Sequence, residues 1–216
     1  MGEYKSLLLK VADHKIATGI IILFHFVGLV GILSPYSELF LALTPFNLLL
    51  STAMITVTHN RPDRRLLIFC MVCYAVGFIS EFLGVQFGLI FGDYSYGWVL
   101  GPKVSGVPLV IGFNWLIVIY SSASISSLFK VPKWLRVILI ATLAVFLDFF
   151  IEPVAIKYDF WSWQQVSVPI ENYIGWFGIS AILAFTLVYL KLDTNSVTGR
   201  SLYLAQLVFF ILLGVL

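Results

Sequence analysis

Apolar residues run through this chain in long continuous blocks, broken by short polar links. Seven blocks stand out, at roughly 16–33, 39–58, 66–85, 107–128, 135–155, 170–190 and 201–216. Most are close to the ~20 residues a helix needs to cross ~30 Å of hydrocarbon. The blocks are continuous, not alternating, which excludes a β-barrel. The pattern predicts an all-α, polytopic membrane bundle of about seven transmembrane helices, with residues 1–216 forming one integral membrane domain. No internal repeat is visible. The first ten residues hold Lys5 and Lys10 but no short apolar core ending in small residues, so no cleavable leader is expected.

Composition agrees: 60% of residues are hydrophobic and 11% charged, with mean hydropathy +1.00. Soluble domains are typically about a quarter charged. Placing the N-terminus and the links after blocks 2, 4 and 6 on one side collects Lys5, Lys10, Lys15, Arg61, Arg64, Arg65, Lys130, Lys133, Arg136, Lys191 and Arg200 there. Only Lys103 and Lys157 fall on the other side. Eleven basic residues against two make the N-terminus cytoplasmic.

The acids lean the other way. Glu38, Glu81, Asp93, Asp148, Glu152, Asp159 and Glu171 fall toward the outer side. Acids have little influence on topology, so this excess needs another cause. Counting ~1.5 Å per residue puts Glu81 ~22 Å and Asp148 ~20 Å from the cytoplasmic ends of their helices. Glu152 is one turn further. Asn114 lies ~10 Å inside the outer end of its helix, and Glu171 and Asn172 open the sixth block. Ionisable groups at such depth usually face a bundle interior or cavity, which makes them functional candidates. The plain alternative pairs Asp148 and Glu152 with Lys157 or Lys103. Pro153 removes a helical hydrogen bond beside Glu152 and frees the carbonyl of Phe149 for a water or side chain.

Aromatic residues crowd the same end. Trp98, Trp161 and Trp163 fit the interfacial belt, while Trp115, Phe149 and Trp176 lie within helices and are candidate cavity linings. The glycine- and proline-rich stretches "GLIFGDYSYG" and "LGPKVSGVPL" read as an irregular cap or loop. A carboxylic acid kept neutral by desolvation can protonate an alkene. Aromatic faces then stabilise the cation, and water or an internal alkene traps it.

Other chemistries find no support. His14, His25 and His59 form no histidine-box or ExxH pattern, so a di-iron site is not indicated. Cys70 and Cys73 sit in an apolar run with no second pair and read as packed thiols. No phosphate loop, dinucleotide fingerprint or GxSxG elbow occurs. The seventh block lacks the lysine that a retinal Schiff base requires. "HNRPDRR" reads as a basic orientation signal that can also touch anionic lipid.

The segments "GFISEFLGVQFGLIFGDYSYG", "LGPKVSGVPLVIGFNW", "LDFFIEPVAIKYDFWSW" and "IENYIGWF" resemble the membrane carotenoid hydratases. That family includes bacterial γ-carotene 1′-hydratases and haloarchaeal bisanhydrobacterioruberin hydratases. The resemblance covers about residues 66–190. It implies addition of water across the terminal 1,2 double bond of an acyclic ψ-end, giving a tertiary alcohol, with no organic cofactor or metal. The implied partners are a carotenoid such as lycopene or γ-carotene, membrane lipid and, as candidates, other carotenoid enzymes; no nucleic acid is expected. The implied location is the cell's inner membrane, with the site toward the outer leaflet. Glu81 or Asp148 is then the acid, Glu152 steers or deprotonates the water, and Asn114 orients a carboxyl. Asp93, Trp115, Phe149, Tyr158, Asp159, Glu171, Asn172 and Trp176 are the substrate-side candidates. A lycopene-type cyclase, a proton-coupled transporter and a pigment-binding assembly protein remain the rival readings.

Overall fold

A computed structural model describes residues 2–60, 62–165 and 167–216, with side chains from Asp13 onward. Arg61 and the side chains of Lys5 and Lys10, counted above toward orientation, lie outside the described residues. The chain forms α1 (Gly2–Ile32), α2 (Ser37–Ala42), α3 (Thr44–Val57), α4 (Arg64–Phe87), β1 (Tyr94–Tyr96), β2 (Lys103–Val104), β3 (Val107–Pro108), α5 (Ile111–Ser126), α6 (Lys133–Lys157), β4 (Trp161–Trp163), α7 (Ile170–Tyr189) and α8 (Val197–Val215). It is an all-α bundle carrying two small antiparallel ladders, β1 with β4 and β2 with β3.

Five helices are long and apolar enough to cross a membrane; α3 and α5 are apolar but shorter. The expected count of about seven spans is thus not confirmed; five have full length among the described residues. The second apolar block divides at Leu43, where Pro45 opens α3. Proline lacks an N–H and restricts the residue before it, so it suits a helix start rather than an interior. The fourth block begins as β3, because Gly106 takes positive φ and Pro108 follows; α5 starts only at Ile111.

α5 is the centre of the bundle. It packs against α4, α6 and α8, and all but three of its residues are buried. Its last six residues, "SSASIS", are small apart from Ile125 and let neighbouring backbones come close. Ser124 and Ser126 return their hydroxyls to carbonyls one turn earlier, Tyr120 at 2.9 Å and Ala123 at 2.9 Å. At the link before α4, Asp63 caps the helix through the N–H groups of Arg65 and Leu66, satisfying donors that the helix leaves free.

The other end carries the site. α4 stops at Gly88, which takes the left-handed conformation with φ 64°. The chain then turns into β1. Its partner β4 follows α6 directly. The register sets Tyr94 opposite Trp163 and Tyr96 opposite Trp161, with Ser95 and Ser162 paired between them. Side chains alternate across a strand, so both tyrosines and both tryptophans point one way. The stretch expected as an irregular cap is thus an ordered ladder with one aromatic face.

Candidate active site

That aromatic face meets three buried carboxyl groups. Glu81, on α4, is 4% exposed. Its Oε2 accepts hydrogen bonds from the hydroxyls of Tyr94 at 2.5 Å and Tyr96 at 2.6 Å. Its Oε1 accepts from the indole Nε1 of Trp115 on α5 at 2.9 Å. Glu152, on α6, is built in parallel. Its Oε2 accepts from Nε1 of Trp161 at 3.1 Å and of Trp163 at 2.9 Å. Its Oε1 accepts from Nδ2 of Asn172 at 3.0 Å. The same Asn172 nitrogen donates to Oδ2 of Asp148 at 3.1 Å. Asp148 is fully buried, and its Oδ1 has no partner.

The local sequence explains these positions. Asp148 and Glu152 are four residues apart and share a helix face. Asn172 sits in the first turn of α7, which packs along α6. Gly77 and Gly84 flank Glu81 on α4. A Cβ at Gly77 would stand 2.6 Å from the Trp115 ring, and one at Gly84 2.6 Å from the Tyr94 hydroxyl. Both glycines are needed for the Glu81 donors to come close. Outside the helices, burial and the neighbouring Glu81 push the phenols of Tyr94 and Tyr96 well above the usual tyrosine range. Both therefore remain donors.

Glu81 and Glu152 border one small cavity with Asn114, Asn172, Trp161 and Trp176. Its room for a water centre is ≈ 20 Å³, enough for about one molecule. Trp176 stacks on Trp115 with centroids 4.2 Å apart, and Phe91 lies 6.2 Å from Trp115. Ile111, Asn114 and Trp161 also border a second, apolar cavity of ≈ 220 Å³. Phe24 and Phe46, both exposed, stand at its edge between α1 and α3.

Of the residues singled out in the sequence, Glu81, Asp148, Glu152, Asn172, Trp115 and Trp176 come together. Asp148 sits behind Asn172 and does not border the small cavity. Asn114 borders both cavities but makes no side-chain hydrogen bond to the acids; Asn172 joins them instead. Phe149 is 56% exposed, since the residue after an inward-facing Asp148 lies about 100° around the helix. Asp93, Asp159 and Glu171 are exposed, and Tyr158 is half-buried with Lys157 over its ring. None of these borders either cavity. Lys157 and Lys103 do not pair with the acids: they donate to the carbonyls of Leu213 and Tyr96. Trp161 and Trp163, expected in the interfacial belt, donate to Glu152. Tyr94 and Tyr96 were not singled out, although the alternation in "YSY" and "WSW" was the available sign. Among the described residues no group of three or more His, Cys, Asp or Glu could hold a metal ion.

Fold and site together define a polytopic helical membrane protein with a buried acid cluster at one end. The model of the carotenoid biosynthesis protein family matches residues 43–216, and the chain belongs to that family. It is 28% identical over 193 residues to the bisanhydrobacterioruberin hydratase of Haloarcula japonica, a match that covers 77% of this chain and 63% of the relative. No solved structure matches.

Proposed function

We propose that this protein is a carotenoid hydratase. It adds water across the terminal 1,2 double bond of an acyclic ψ-end, within a single integral membrane domain whose N-terminus is cytoplasmic and whose site faces the outer leaflet. The similarity to a named hydratase supports the reaction class. The observation that carries the reading is the one-water cavity between Glu81 and Glu152, which shares a wall with a much larger apolar cavity. An apolar end group and a single water can meet at that wall.

In this reading the end group enters through the apolar cavity past Asn114. Glu81 acts as the acid and transfers its proton to C2, forming a C–H bond from the alkene's electron pair and leaving a tertiary cation at C1. Oε1 of Glu81 carries only one donor, so it has room for the proton. The faces of Trp176 and Phe91, which border the small cavity, stabilise the cation, and Trp115 stacks behind Trp176. Water in the small cavity attacks C1, and Glu152 takes the proton that the water loses. The next water bridges the two glutamates and returns the proton to Glu81. The balance is one alkene and one water to one tertiary alcohol. Asp148 is a positioning residue: through Asn172 it holds Glu152 against the cavity.

The test is pigment analysis by liquid chromatography and mass spectrometry in a host making lycopene and γ-carotene. A product heavier by one water, with its chromophore unchanged, is expected. A product of unchanged mass with a shortened chromophore would instead assign a cyclase.

A further inference from the structure

Three residues border both the small cavity and the apolar one: Ile111, Asn114 and Trp161. Ile111 and Asn114 are three residues apart on α5 and so share a face; Trp115, the donor to Glu81, follows directly. Ile111 brings no side-chain polar atom to this wall. The N–H of Trp161 is already given to Glu152 at 3.1 Å. Asn114 differs from both. It is half-buried, its amide makes no hydrogen bond among the described residues, and it is not among the side chains sealed away without a partner. Of the three, Asn114 alone brings an uncommitted polar group to the wall, an amide with both donors and an acceptor. A water that attacks a cation keeps a lone pair toward the carbon and points its two hydrogens elsewhere. Glu152 accepts one. The other needs an acceptor too weakly basic to take the proton, placed where the apolar cavity begins. Oδ1 of an asparagine is such a group. Trp176 also borders the small cavity, but its indole N–H only donates. Asn172 gives its nitrogen to Asp148 and Glu152 and does not border the apolar cavity.

We propose that Asn114 positions the attacking water at the shared wall and so decides the fate of the cation. It is a positioning residue that acts through that water, and this role rests on the hydratase reading. With the water held, C1 gains a C–O bond and Glu152 takes the proton the water loses. Without it, the cation gives up a proton from C2 or from a C1 methyl to a carboxylate, and an alkene forms again. No atom is gained, so in ordinary water this return leaves the mass unchanged. In D2O it leaves a mark. C2 first accepts a deuteron, and an alkene that re-forms by losing one of the original hydrogens keeps it.

The test follows an acyclic carotene with detergent-purified protein in buffered D2O, read by mass spectrometry. The wild type should form the tertiary alcohol with deuterium on carbon and leave little label in the remaining carotene. Asn114→Leu is close in size but has no acceptor. It should lower the alcohol by about tenfold or more, while deuterium in the recovered carotene rises. Glu81→Gln, in which no cation forms, supplies the blank. Asn114→Val carries the same comparison if Asn114→Leu is not recovered. A fall in alcohol without a rise in label overturns the proposal, because Asn114 would then act before the cation or only hold the fold. Unchanged alcohol overturns it as well. A wild type that forms no alcohol rejects the hydratase reading, and the role of Asn114 with it. A wild type that forms the alcohol upholds that reading and leaves the variant to decide the role of Asn114 alone.

Discussion

The two ends of the bundle treat their polar groups differently. At the end that carries the β1–β4 ladder, three carboxyl groups are buried and every partner is neutral: two phenols, three indoles and one amide. At the opposite end the charges stay near the surface. Arg65 pairs with Asp63 at 2.7 Å, the only ion pair among the described residues, and Asn60 donates to Asp193. His59 is buried there and bonds the Tyr120 hydroxyl at 2.7 Å; burial pushes the His59 imidazole below its usual range. A cation beside a buried carboxylate favours its charged form strongly. Neutral donors also favour the charged form, but each does so less strongly than an adjacent cation. The ladder end is thus arranged for groups that gain and lose a proton, and the opposite end for cohesion.

Replacing the two glutamates tests that contrast most severely. Glu81→Gln and Glu152→Gln keep shape but cannot exchange a proton. Each should lower conversion by about 10²–10⁴-fold, with protein still present in the membrane; near-normal pigment conversion by either variant would falsify its role. Asp148→Asn separates position from chemistry. It lies behind Asn172, so its fall should be smaller, roughly tenfold to a hundredfold. A loss as deep as that of Glu81→Gln would move the proton donor onto Asp148.

The donors come next. Tyr94→Phe removes one of three bonds to a buried carboxyl, a change worth about 1.5–3 kcal/mol, and should slow conversion by about tenfold or more. Gly84→Ala should act the same way, since its Cβ would reach 2.6 Å from the Tyr94 hydroxyl. The phenols also predict a pH effect. In the unfolded chain they ionise near ~10, whereas the folded protein keeps them protonated well beyond that. The stabilisation is fully present below the unfolded value and is lost as pH rises past it. Thermal unfolding in detergent should therefore weaken more steeply above that pH in the wild type than in a Tyr94→Phe, Tyr96→Phe variant. Identical slopes would remove the buried-phenol account.

Much of the acid cluster was legible because helix geometry is regular. Counting rise per residue brought Glu81, Asp148 and Asn114 to a similar depth, with Glu152 one turn further and Asn172 at the start of its block, and the i, i+4 spacing set Asp148 and Glu152 on one face. What that counting cannot show is which residue after a helix folds back. Tyr94, Tyr96, Trp161 and Trp163 lie in links rich in glycine and proline, 65 or more residues apart across the ladder by the Ser95–Ser162 pairing. Their pairing is a tertiary fact. Tryptophan near a helix end also fits an interfacial belt, so Trp161 and Trp163 had an ordinary explanation. Phe149 lies on the outer face for a local reason: adjacency in sequence is not adjacency on a helix face.

The smallest expected effect lies at the opposite end. Ser196 caps α8 by accepting the N–H of Gly199 at 3.0 Å, and it is buried. Ser196→Ala leaves that donor without its partner, which destabilises a helix by about 1 kcal/mol. The unfolding midpoint in detergent should fall slightly, while conversion per folded molecule stays at the wild-type level. The two readouts must diverge for the contrast between the ends to hold. If Ser196→Ala slowed conversion as much as Tyr94→Phe without loss of folded protein, the ends would be coupled. Neutral donors around the acids would then no longer be a sufficient account of how the site is held.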